Sequence, residues 1–139
     1  MGNKTFLGSV HLNQPEQVEL PGAAAGILPG NLLLRASDEL KLHDGANLGG
    51  FVYVAKEAPH GDIDVAYLAD ETVFAYKPAS GEYYQMLVAT GQALVVDTPL
   101  TSNGAGLLDI ATPATEVVVC YSDETITTTA TTPVRVKFK

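Results

Sequence analysis

The stretch YYQMLVATGQALVVDTPLTSNGAGLL, Tyr83 to Leu108, decides the fold class. Two apolar runs, Met86 to Val88 and Ala93 to Val96, are separated by Thr90-Gly91, and a third segment, Pro99 to Thr101, is closed off by Asn103-Gly104. Short apolar pieces joined by glycine-bearing turns are the pattern of a small β-barrel or sandwich. The one carboxylate, Asp97, lies in Asp97-Thr98-Pro99, where a side chain that accepts backbone N–H bonds suits the turn. Nothing in the stretch has catalytic chemistry, so a binding or structural role is the first expectation.

The same punctuation continues on both sides. Pro21-Gly22 and Pro29-Gly30 break any helix that Ala23 to Ala25 would start, because proline removes a donor and glycine frees the backbone. Asn31 to Arg35 and Glu39 to His43 form a hairpin across Ala36-Ser37-Asp38, with Leu40 and Leu42 on the buried face and Glu39, Lys41 and His43 on the wet one. Phe51 to Lys56 is rich in aromatic and β-branched residues and reads as a central strand. A loop from Glu57 to Asp70 follows. Thr72 to Lys77 and Glu82 to Val88 read as a second hairpin, across Pro78-Ala79-Ser80-Gly81. Late strands are expected at Glu116 to Tyr121, Thr125 to Thr129 and Val134 to Phe138. About ten short strands and no helix predict an all-β fold.

The expected organisation is a polar, extended N-terminal arm over 1–20 and a single β-barrel or jelly-roll-like sandwich of short antiparallel strands over 21–139. Two readings of the arm stand side by side: it reaches a neighbour, or its first strand packs on its own barrel. The threonine-rich run Thr125 to Thr132 suits an exposed edge, where hydroxyls face water and β-branched side chains fit the pleat. No period of about 20 to 50 residues recurs, which excludes a solenoid or propeller.

Composition sets bounds. At 139 residues the chain is long enough for one hydrophobic core. With 46% hydrophobic and 17% charged residues it is expected to fold in solution rather than span a membrane. Met1 to Val10 has one lysine and no apolar core, so no secretory signal is expected there, and the lone Cys120 fits a reducing compartment. A net charge of −8 with eight basic residues argues against nucleic acid as a partner. Arg135, Lys137 and Lys139 alternate with Val134, Val136 and Phe138, which makes them the solvated face of a strand.

Candidate chemistry is sparse. Asp62-x-Asp64 with Asp70-Glu71 lacks the oxygen count and the central glycine of a calcium loop. His11, His43 and His60 are too far apart for a zinc spacing. Cys120 lies in the apolar run Val117 to Tyr121 and reads as core. The serines lack a nucleophile elbow, and no glycine-rich loop leads into a helix. No cofactor, metal or catalytic residue is therefore nominated.

Four pieces, taken in order, resemble the head decoration, or capsid cement, proteins of tailed bacteriophages. They are Ala24 to Leu33 (AAGILPGNLL), Phe51 to Glu57 (FVYVAKE), Asp62 to Val73 (DIDVAYLADETV), and Gly91 to Leu94 running through Leu100 to Leu107 (LTSNGAGL). Beyond Leu108 the sequence departs from that pattern. The resemblance implies a non-enzymatic virion protein, made in the host cytoplasm, that binds the outer surface of the expanded capsid as a homodimer or homotrimer and staples neighbouring major capsid subunits. It implies contact through the arm, with Phe6, Leu7 and Val10 filling pockets on the shell. A different class of function, a carbohydrate-binding β-sandwich or tail-associated adhesion module, would require exposed aromatics among Tyr53, Tyr76, Tyr83 and Tyr84. A small hydrolase on a β-barrel has no constellation to support it.

Overall fold

Alternating apolar residues drive this chain into strands, and the strands close on themselves twice. A computed structural model describes residues 5–9, 15–45, 51–59, 61 and 64–139. Among these residues there are strands and no helix. The first six strands are β1 (Phe6–Ser9), β2 (Glu16–Pro21), β3 (Leu32–Ala36), β4 (Glu39–Leu42), β5 (Tyr53–Ala55) and β6 (Thr72–Lys77). The rest are β7 (Glu82–Val88), β8 (Ala93–Leu94), β9 (Pro99–Ser102), β10 (Leu108–Ile110), β11 (Cys120–Ser122), β12 (Ile126–Thr127) and β13 (Thr132–Lys137). The all-β fold is as the sequence predicts, a small single domain containing a closed five-stranded barrel.

That barrel has the order β7-β10-β9-β11-β13 and is closed by pairing of β13 with β7, while β1 lies on the edge of β7. A second sheet has the order β2-β6-β5-β3-β4, and its two edges are joined by a parallel bridge between Gly22 and Leu40. In both rings, the strands counted in chain order run first, fifth, fourth, second, third. The registers agree as well. Leu33 faces Leu42 and Tyr53 as Leu100 faces Ile110 and Cys120. Ala75 faces Ala55 and Val18 as Val136 faces Ser122 and Tyr84. Each ring closes by one parallel contact, in which Ala23 N–H donates to Leu40 O at 2.8 Å in the first and Ala89 N–H donates to Leu108 O at 2.8 Å in the second. The chain is one barrel built twice, with Leu33 and Leu100 at equivalent positions, a spacing longer than the period of about 20 to 50 residues of solenoids and propellers.

Each barrel has its own interior. Leu33, Leu40, Ala55, Val73 and Ala75 fill the first without exposure, and Met86, Val88, Leu100, Leu108, Cys120, Val134 and Val136 fill the second. The seam between them is apolar too. Leu32, Val54 and Tyr76 form a row across the outer face of β3, β5 and β6 and join the cluster of the second barrel. Phe6, Tyr76 and Tyr84 meet there with ring centroids 5.3 to 5.8 Å apart.

The structure corrects several expectations. β6 and β7 have the predicted bounds but are not a hairpin: the edges of β6 are taken by β2 and β5, and β7 pairs with β13, β1 and β10. Pro78 to Gly81 therefore carries the chain from one barrel to the next, and the buried Glu82 accepts from Ala79 N at 2.8 Å to hold that turn. Within 1–20, β1 and β2 are strands of the body, since β1 pairs with β7 and β2 with β6. His43 is buried rather than solvated, because it follows the last residue of β4 and its Nδ1 accepts from Gly45 N at 3.0 Å. Asp97 has φ +73° and its carboxylate faces Lys137 and Lys139, while the Thr98 hydroxyl accepts from Val95 N at 3.0 Å and makes the local bonds of the turn.

Gly106 has φ +79°, and a Cβ there would lie 2.6 Å from Leu42 Cδ2. Gly104 has φ +87° with its nearest atom at 3.7 Å. Gly104→Ala should cost about 1 kcal/mol, the backbone penalty alone. Gly106→Ala adds overpacking to that penalty and should cost about 3 kcal/mol or more, measured by urea unfolding of both variants.

Candidate functional site

The surface, rather than a cavity full of polar groups, is where this chain offers contacts. Of the residues expected to reach a partner, Phe6 is half-buried in the aromatic seam, Leu7 points outward at 40% exposure, and Val10 lies outside the described residues. The ladder of β1 on β7 shifts register between Phe6, opposite Tyr84, and Gly8, opposite Tyr83, so Leu7 sits at a bulge without a partner of its own in the ladder. Among the described residues β1 pairs only with β7, which leaves its outer edge open.

Apolar side chains also emerge where sequence reasoning did not place them. Leu42 and Ile110, at the ends of β4 and β10, occupy the same register position in the two barrels, and both are partly exposed, at 36% and 39%. Val65 and Leu68 project from the loop after β5, and Val95 and Val96 from the turn after β8. An apolar groove of about 310 Å³ runs between the barrels, lined by Leu28, Leu87 and Pro133 with Asp64 and Thr131 at its rim. Hydrophobic runs such as Ala93 to Val96 read as strand in sequence. Only the turn at Val96-Asp97 reveals that all of that run but Leu94 faces water.

The charged face of β13 is matched within the chain. Lys137 Nζ lies 2.5 Å from Asp97 and 3.7 Å from Asp123, Arg135 Nε lies 2.8 Å from Asp123, and Lys139 Nζ lies 3.4 Å from Asp97. The hydrogen bond from Lys137 holds the Asp97 carboxyl below its ordinary value and raises the lysine. The threonine run has a structural task at Thr128, whose buried hydroxyl donates to Ala89 O at 2.7 Å and accepts from Gln92 N at 2.8 Å, fixing the Thr90-Gly91 turn. Cys120 is fully buried, and burial pushes its thiol up. Tyr53, Tyr76 and Tyr84 are buried, and burial raises the Tyr76 phenol to about 12. His11, His60 and Asp62 lie outside the described residues, and among those described no three His, Cys, Asp or Glu side chains converge on a common point.

No protein-family model matches the chain, and no curated protein sequence matches it.

His43 gives the fold a pH dependence. Burial is the main reason its imidazole sits below the ordinary value of 6.5, with Lys41 acting in the same direction and Asp44 against it. The folded state holds the neutral ring, so its contribution is complete above about pH 6.5 and is lost as pH falls, when the unfolded chain takes up the proton first. The urea midpoint should drop between about pH 7 and about pH 5.5, and His43→Gln should flatten that part of the profile.

Proposed function

We propose that the chain is a capsid decoration protein, which binds the outside of an expanded bacteriophage shell and staples neighbouring major capsid subunits against the pressure of packaged DNA. The observation that carries this reading is the repeated barrel, which presents a partly exposed apolar residue at the same register position in each copy, Leu42 and Ile110. A staple needs at least two contacts that hold together and are lost together. Two like barrels on one short connection supply two such contacts in a single chain, and shell assembly is then favoured by the binding free energy of both.

The N-terminal strand adds a third kind of contact. Its open edge is suited to strand addition by a capsid subunit, with Leu7 directed outward and Phe6 retained in the seam. Self-association as a dimer or trimer on the shell belongs to the same proposal, because icosahedral symmetry axes present repeated sites. Of the four tyrosines nominated for the carbohydrate-binding alternative, Tyr53, Tyr76 and Tyr84 are buried and Tyr83 is partly exposed.

Co-sedimentation with expanded empty capsids, and with unexpanded proheads as control, tests the proposal. Saturable binding to the expanded shell alone is expected. Ile110→Asp and Leu7→Asp should each weaken it about tenfold, as loss of one buried aliphatic contact predicts. Absence of binding to either shell would overturn the reading.

A further inference from the structure

The repeat lets one end of the barrel be compared in two settings. By register, Val18, Arg35, Tyr53 and Lys77 of the first barrel stand where Tyr84, Ser102, Cys120 and Phe138 stand in the second. In the second barrel this end is shut. Tyr84 and Phe138 meet edge to face at 5.5 Å, the Tyr84 hydroxyl donates to Glu82 at 2.8 Å, and all three residues are buried. In the first barrel a valine replaces the tyrosine and a lysine the phenylalanine, and an open cleft of about 600 Å³ remains among the described residues.

We propose that this cleft is a binding site for a small ligand that joins a flat ring to a carboxylate, an acidic sugar or an aromatic acid. The mouth of a small barrel is a common ligand position, and the volume lies in the usual range for such sites. Phe51 lines the cleft with 71% of its surface exposed, an apolar edge against which a ligand ring can pack. Lys77 Nζ lies over the Phe51 ring, 3.9 Å from its centre, so a ligand ring packed beside the phenyl rather than on this face brings its carboxylate to the ammonium. Arg35 also lines the cleft: its Nε donates to Ser37 O at 2.9 Å and its Nη2 lies 3.5 Å from the exposed Asp38, which orients the guanidinium and leaves its remaining N–H groups for the acid. Glu16, 3.9 Å from Lys77 and well exposed, remains as an acceptor for a ligand hydroxyl.

A second copy of this chain does not fit the cleft. The outer face that shuts the second barrel is Leu32, Val54 and Tyr76, and the register equivalents on the second barrel are Pro99, Tyr121 and Lys137. Stacking copies end to end would set Pro99, Tyr121 and the ion-paired Lys137 in the place of the apolar row that the contact between the barrels uses. The site is independent of the stapling reading and is tested apart from it.

The test titrates the ¹⁵N-labelled full chain with a galacturonic acid oligomer, with 2-naphthoic acid, and with a neutral galactose oligomer, following amide shifts. Either acid should shift signals around Arg35, Ser37, Tyr53 and Lys77, and the neutral sugar should bind at least about tenfold more weakly. The acid that binds identifies the ligand class. Arg35→Ala and Lys77→Ala should each weaken binding about tenfold. Val18→Tyr, which copies the plug of the second barrel, should abolish it while the remaining spectrum stays that of the folded protein. No shift with either acid, or binding that survives Val18→Tyr in the folded variant, overturns the proposal.

Discussion

One residue, Gly106, ties the second barrel to the first through both of its backbone polar groups. The β3–β4 ladder ends at Leu33 and Leu42, and beyond it His43 N–H still donates to Leu32 O at 2.9 Å. The return bond is not made. Instead Gly106 O accepts from Leu32 N at 2.9 Å and Gly106 N–H donates to His43 O at 3.0 Å, so the turn of the second barrel is inserted into the sheet of the first. Asn31 Nδ2 donates to the same carbonyl at 3.0 Å, and its Oδ1 accepts from Leu28 N at 2.7 Å. A side chain at 106 would occupy the space of Leu42, which is why the position is glycine with φ +79°.

Gly30 makes the matching contact from the other side, accepting from Leu87 N at 2.9 Å on an edge of β7. On that edge Thr5 O takes Gln85 N at 2.7 Å and Leu108 O takes Ala89 N at 2.8 Å. The donors along β7 are thus satisfied by the first barrel, by the strand before it and by the ring closure in turn. An unpaired buried amide costs about 1–3 kcal/mol, so loss of the docking would expose several such groups together with the aromatic seam. The barrels are coupled by backbone as much as by apolar contact.

Much of the fold was legible because local chemistry and tertiary structure agree. The bounds of β6 and β7, the turns at Ser37-Asp38 and Thr90-Gly91, and the alternation of Val134, Val136 and Phe138 against Arg135 and Lys137 follow from side-chain period and turn residues alone. Partners were not legible. Adjacency of β6 and β7 in sequence reads as a hairpin, whereas each finds its partners across long separations. The duplication was hidden for a different reason. Leu33 and Leu100, and Leu40 and Leu108, are conserved between the copies, yet Tyr53 stands against Cys120 and Ala75 against Val136. A barrel interior constrains total volume more than identity at a site, so two sequences can share backbone and register while differing at most positions. The candidate contacts were legible only in part, since Leu7 was nominated from sequence and the pair Leu42 and Ile110 emerges only when the copies are aligned by register.

A rigid pair of barrels has consequences that a flexible pair does not. A flexible linker lets two contacts find sites at many separations, whereas a docked pair gains from the second contact only where the sites match its own spacing. On the stapling reading, that spacing is set by the backbone contacts of Gly106, which packs directly against Leu42, and of Gly30. On that reading, an expansion that changes the distance between neighbouring subunits changes whether both contacts can be made at once. A docked two-contact body of the proposed kind would then distinguish the two forms of a shell by geometry, and each contact could be weak without loss of selectivity. The same docking shuts the end of the second barrel and leaves the first one's end free, so one arrangement accounts for both the spacing and the open cleft.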